Sequence, residues 1–125
     1  MLPEQDRQKL TEKGYEFEEI ADGGFLCVVI KDFRLPPGYD RDSTDVLLRL
    51  PSGFPDSQPD MFWCDPPISY ANGGVPQASE SRETYLGRTW QRFSRHLAPG
   101  VWRPGVDSLM TYLSLITRDL ARCGR

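Results

Sequence analysis

The sequence predicts an α+β domain: an N-terminal helix, a four-stranded antiparallel meander sheet, a long loop, and a C-terminal helix packed on the sheet. Three observations carry this reading. Residues 46–63 read VLLRLPSGFPDSQPDMFW and set three X-Pro pairs at four-residue steps between two apolar runs: Leu50-Pro51, Phe54-Pro55 and Gln58-Pro59. Proline has no N–H and fixes φ, which excludes both a helix and a central strand, and it pushes each preceding residue toward extended geometry. The stretch therefore reads as strand, rigid extended crossover, strand. Residues 25–33, FLCVVIKDF, are apolar on both faces through Ile30, as a central strand requires. Leu109, Leu113, Ile116 and Leu120 fall at i, i+4, i+7 and i+11, one apolar stripe that would face a sheet.

The elements follow in order. Residues 3–13 are polar helix formers with Pro3 at the start, and Gly14 stops them. Tyr15, Phe17 and Ile20 mark a first strand, and Asp22-Gly23-Gly24 is a hairpin turn into the strand at 25–33. A loop carrying Pro36, Pro37 and Gly38 leads to a third strand at 44–50; a fourth follows at 61–65, ended by Pro66-Pro67. Residues 71–89 have little apolar content and read as a long loop, a type that is usually functional or mobile. Residues 89–96, TWQRFSRH, read as a short helix or turn, broken at Ala98-Pro99-Gly100. Pro104-Gly105 precedes the last helix, with Asp107 as its expected N-cap and Gly124 as its close.

A chain of 125 residues and 38% hydrophobic content is expected to form a single domain, residues 1–125. Its N-terminus is polar from the start, so neither a signal peptide nor a membrane anchor is expected. Cys27, Cys64 and Cys123 are odd in number and widely spaced. This argues against a disulfide framework and a zinc site and fits a reducing cytoplasm. The net charge of −3 is uneven: residues 1–60 hold 13 acidic and 7 basic residues, whereas residues 88–125 hold 7 arginines against Asp107 and Asp119. An acidic and a basic face follow, without the dense basic stripe and interleaved aromatics of nucleic-acid binding. No nucleic acid, membrane, metal or cofactor is expected.

The order helix, four-stranded meander, proline crossover, loop and helix resembles the ubiquitin-conjugating enzyme (UBC) fold. That family carries aromatic-Pro, Tyr-Pro and Pro-Pro at four-residue steps and then an aromatic. Leu50-Pro51, Phe54-Pro55, Gln58-Pro59 and Trp63 stand at those places without a gap. The family's Trp-Ser-Pro before a helix is similar to Trp102-Arg103-Pro104. The resemblance covers nearly the whole chain. It is closest to the compact bacterial members found with ubiquitin-like proteins and activating enzymes, and the WQRFSRH and WRPG stretches look like the E-type prokaryotic family.

The departures bear on chemistry. Where active members have His-Pro-Asn, this chain has Ser69, Tyr70, Ala71 and Asn72, and Asn72 takes the asparagine's place only with one inserted residue. The family's catalytic cysteine lies eight residues before the Trp, and that position is Ser94. A thiolate is a good nucleophile and leaving group, whereas serine needs an adjacent base. His96, the single histidine, lies two residues on, sharing a face with Ser94 in a strand but not in a helix. Local hydrogen bonding by both residues is the competing reading. Cys64 beside Asp65 and Cys123 at the end of the last helix are poor candidates, since both settings disfavour a thiolate.

Trp90, Phe93 and Trp102 gather around the would-be active loop, flanked by Arg92, Arg95 and Arg103. They either pack the loop onto the sheet or form an aromatic and arginine platform for a peptide tail or a carboxylate. The resemblance then implies a conjugation-pathway component that binds a ubiquitin-like protein or its activating enzyme without the usual cysteine. Its rivals are an active enzyme with an oxyester on Ser94, His96 as base and Asn72 nearby, and a UBC-like peptide-binding domain unrelated to conjugation.

Overall fold

Residues 27–30 are buried on both faces of their strand, which places that strand inside a sheet with something packed on either side. The computed structural model describes residues 2–98 and 100–123. Its elements run α1 (Glu4–Glu12), β1 (Glu16–Asp22), β2 (Phe25–Arg34), β3 (Ser43–Leu50), β4 (Phe62–Asp65), β5 (Arg82–Tyr85), β6 (Arg88–Phe93) and α2 (Leu109–Cys123). The six strands form one antiparallel sheet in the order β1-β2-β3-β4-β6-β5.

The helices and the first four strands are where the sequence puts them; the four-strand expectation is corrected to six. Residues 82–93, read as the end of a loop followed by a short helix or turn, form a hairpin whose β6 pairs with β4 from Phe62↔Phe93 to Cys64↔Gln91. The physical reason is a period of two. Trp90 faces one side of the sheet while Gln91 and Phe93 face the other, so both rows are buried. The hairpin turn, Leu86-Gly87, takes positive φ at both residues (56° and 74°), the backbone that suits a two-residue connection.

Alternation also divides the core. Val28, Ile30, Val46, Leu48, Phe62 and Phe93 face both helices, meeting Leu10 of α1 and the Leu109, Leu113, Ile116 and Leu120 stripe of α2. Cys27, Val29, Leu47, Trp63 and Trp90 form a second cluster on the opposite face. No helix covers that face among the described residues. Arginine guanidinium groups lie over its rings instead, Arg49 at 4.0 Å from the Tyr85 centroid and Arg88 at 4.4 Å from Trp90.

Helix ends follow the local chemistry. Gly14 sits at φ 82° while Tyr15 N–H reaches back to Leu10 and Gly14 N–H to Thr11, a closed C-terminal motif. The Asp107 N-cap expectation is not met. Its carboxylate accepts from the backbone N–H of Arg103 at 2.7 Å, and the first N–H of α2, at Leu109, is taken at 3.3 Å by Asp6 of α1. Gly124, the expected close of α2, lies outside the described residues. The crossover between β3 and β4 coils into turns rather than running extended: Phe54 N–H reaches Pro51 O and Ser57 N–H reaches Gly53 O. Among the described residues no helix is long and apolar enough to cross a membrane.

Candidate functional site

The end of β6 positions the candidate residues. Continuing its alternation, Arg92 and Ser94 belong to the helix-free side and Phe93 and Arg95 to the helix side. Arg92 donates through one guanidinium nitrogen to Glu83 of β5 at 2.8 Å and through Nε to Ser94 Oγ at 3.1 Å. Burial works to raise the Glu83 carboxyl, but hydrogen bonds from Trp63, Tyr85 and Arg92 outweigh it and hold it below the ordinary carboxylate range. The Ser94 hydroxyl oxygen is thus an acceptor tied to a fixed guanidinium.

Residues 76–81 run beside this strip and close it. Ser94 N–H donates to Ala78 O at 3.0 Å, Arg92 N–H to Ser81 O at 2.9 Å, and Arg95 to Gln77 O at 2.8 Å. Ser79, fully buried, bonds to Pro76 O at 2.6 Å. Much of the tract read as a long, functional or mobile loop is therefore fastened to β6. Asn72 lies earlier in it, exposed in a tight turn, with its side-chain oxygen accepting from Gly74 N–H at 2.9 Å.

His96 belongs to a different pair. Its Nδ1 lies 2.7 Å from Asp60 Oδ1, with both side chains more than half exposed. Asp60 is held there by Met61, which adopts φ 61°; Met61 N–H donates to Arg95 O at 2.9 Å and Met61 O accepts from the Tyr112 hydroxyl at 2.6 Å. His96 borders a cavity of about 220 Å³ between β4 and α2, floored by Phe62, Leu115 and Ile116. At its rim Arg95 donates to Asp119 of α2 at 2.7 Å.

The aromatic residues divide between the two cores. Trp90 is fully buried on the helix-free face, with its indole N–H on Tyr85 O at 3.0 Å. Phe93 is fully buried on the helix face, stacked 4.7 Å from Phe62. Trp102 is buried there too, its indole N–H donating to Pro55 O at 2.8 Å. The sheet therefore separates Trp90 from the other two, and all three rings are core. Arg103 is the most open of the three arginines, its side chain 66% exposed, and it holds Asp107 below the ordinary carboxylate range through hydrogen bonds.

Cys27 and Cys64 are free thiols with no exposure. Burial, helped by Asp65, drives the Cys64 thiol far above its ordinary range, so it stays protonated. No group of three His, Cys, Asp or Glu side chains among the described residues is placed to hold a metal.

Sequence reasoning missed Asp60, Glu83 and Tyr112. Asp60 had a signal, standing between the last ladder proline and the fourth strand. Glu83 and Tyr112 become visible only once β5 is paired and α2 is docked.

No curated protein and no solved structure matches the chain. The family described as Prokaryotic E2 family E matches residues 2–123, the span that holds the proline ladder, Ser94 and the Trp-Arg-Pro. The chain belongs to that prokaryotic E2-like family.

Proposed function

We propose that the protein is a binding component of a bacterial ubiquitin-like protein conjugation pathway, with a UBC-like fold, that holds the ubiquitin-like protein or its activating enzyme without a covalent intermediate of its own. The observation that carries the reading is the chemistry at Ser94. Ser94, at the position the resemblance gives to the catalytic thiol, is tied to Arg92, which is itself paired with Glu83, and the described thiols, Cys27 and Cys64, are sealed in the core. Membership of an E2-like family supports the pathway.

The contact surface in this reading is the β6 exit and the Trp-Arg-Pro turn. Arg103, the most exposed, meets an acidic surface or a chain-terminal carboxylate, and Arg92 and Arg95 border it while paired with Glu83 and Asp119. Trp90, Phe93 and Trp102 act from beneath by fixing the backbone. The test is calorimetric titration of the purified chain with a ubiquitin-like protein and an activating enzyme from the same genome. Saturable binding to either is expected, and heats of dilution with both would remove the reading.

One observation favours a second reading, an oxyester on Ser94 with His96 as base. Asp60 at 2.7 Å from His96 Nδ1 is the orienting third group that such a base needs. In that reading both side chains move: the Ser94 hydroxyl leaves Arg92 and His96 turns from the cavity between β4 and α2 to take its proton, as Oγ attacks the activated C-terminal carbonyl and expels the activating enzyme's thiolate. Incubation with both partners and ATP would give a hydroxylamine-labile, reductant-resistant adduct that Ser94→Ala abolishes. An absent adduct, or one that persists in Ser94→Ala, removes it.

A further inference from the structure

Most arginines in this chain are engaged within it, by ion pairs or by hydrogen bonds to backbone carbonyls. Among the described residues, four cationic side chains make no such bond, Lys9, Lys13, Arg34 and Arg118, although Lys9 acts on Asp6 through its charge. Three of the four converge. Lys9 of α1 and Lys13 at its C-cap lie one turn apart, and Arg118 projects from α2; all three line the groove between the helices, about 620 Å³ in volume. Glu12 is the single acidic residue lining it. The hydroxyls of Ser108, Thr111 and Ser114 lie along its α2 side, and its apolar contribution comes from Met110 and from Val106, 64% exposed.

We propose that this groove docks an acidic segment of a partner protein, with carboxylates on Lys9, Lys13 and Arg118 and an apolar side chain on Val106 and Met110. Charge complementarity selects the occupant. In a chain of net charge −3, three cations without an ion pair gathered in one concave strip attract anions locally. Three spread cations are too few for a nucleic-acid backbone, and an exposed valine beside a methionine suits a peptide side chain better than a phosphate. The groove draws on neither Ser94 nor the β6 exit. The inference therefore stands apart from the conjugation reading, and its failure would leave that reading untouched.

The test is fluorescence anisotropy of the full chain with a labelled peptide alternating Asp or Glu with Leu, beside the same peptide carrying Asn and Gln. The acidic peptide is expected to bind, and more weakly as salt rises from about 50 to about 300 mM. The amide peptide and the Lys9→Glu/Arg118→Glu variant should each lose about tenfold or more in affinity. Arg34→Glu, with a charge reversal away from the groove, should bind the acidic peptide like the parent. Three results would overturn the proposal: no binding at low salt, equal loss in Arg34→Glu, or tighter binding of a DNA duplex than of the acidic peptide. Sedimentation of the parent chain as a dimer that Lys9→Glu/Arg118→Glu dissociates would assign the groove to a second copy and overturn it too.

Discussion

The indole N–H of Trp102 donates to the carbonyl of Pro55 at 2.8 Å. This bond joins the proline crossover to the Trp-Arg-Pro turn, 47 residues apart in the chain. The Trp102 ring is tilted against Phe54 at 6.1 Å and stands edge-on to Tyr112 at 6.4 Å, so crossover, turn and α2 meet on one side chain. Trp102→Ala should cost about 3–5 kcal/mol, from a large cavity and an orphaned carbonyl. Trp102→Phe should recover part of it. Urea denaturation of both variants checks the order; equal stability of parent and Trp102→Ala would refute the role.

The thiols give a second prediction. In a Cys123→Ser background, Cys27 and Cys64 should resist maleimide at pH 8 in the native state and react in denaturant, because both are sealed from solvent. Rapid native labelling of Cys64 would revive it as a nucleophile.

Two carboxylates that hold α1 respond to pH in opposite directions. Desolvation raises Asp6 above 3.8, against the Leu109 N–H that lowers it. Its contribution is therefore full below 3.8 and is lost as pH rises through the raised value. Asp6→Asn should gain stability relative to the parent as pH increases across that window. Glu19 is held below 4.5 by hydrogen bonds from Arg7, so its contribution is present above 4.5 and is lost as pH falls through the lowered value. Glu19→Gln should flatten the acid side of the stability curve. Parallel curves for parent and variant would contradict either assignment.

The arginines of the proposed contact surface should separate by role. Arg103→Ala removes an exposed guanidinium and should weaken partner binding by about 1–2 kcal/mol while changing stability by less than about 1. Arg95→Ala leaves Asp119 of α2 without its closest cation and should lower stability as well. Calorimetric titration paired with thermal melts checks both; a stability loss in Arg103→Ala as large as in Arg95→Ala would merge the roles.

Much of this architecture is legible in the residues. Phe25 to Ile30 carries apolar residues on both faces, and Gly14 and the Asp22-Gly23-Gly24 turn mark ends that only special backbone permits. The β5–β6 hairpin is less legible because its edge strand, Arg-Glu-Thr-Tyr, has no apolar row of its own and is stabilised by pairing with β6. Its turn, Leu86-Gly87, also lacks the asparagine or aspartate that usually announces one. Reading residues 89–96 without that strand puts Trp90 and Phe93 together, whereas a period of two sends them to opposite faces. At the candidate site, Ser94 is singled out by the resemblance and His96 by its nearness to it, but their partners, Arg92 and Asp60, are chosen by tertiary packing.

The central claim is a non-covalent E2-like binder with Ser94 in place of a nucleophile. Its most direct test is native mass spectrometry of the chain mixed with a bacterial ubiquitin-like protein, its activating enzyme and ATP. The account predicts a complex containing the chain that separates on denaturation into a chain of unchanged mass. A chain mass increased by that of the ubiquitin-like protein after denaturation, or no complex at all, would contradict it.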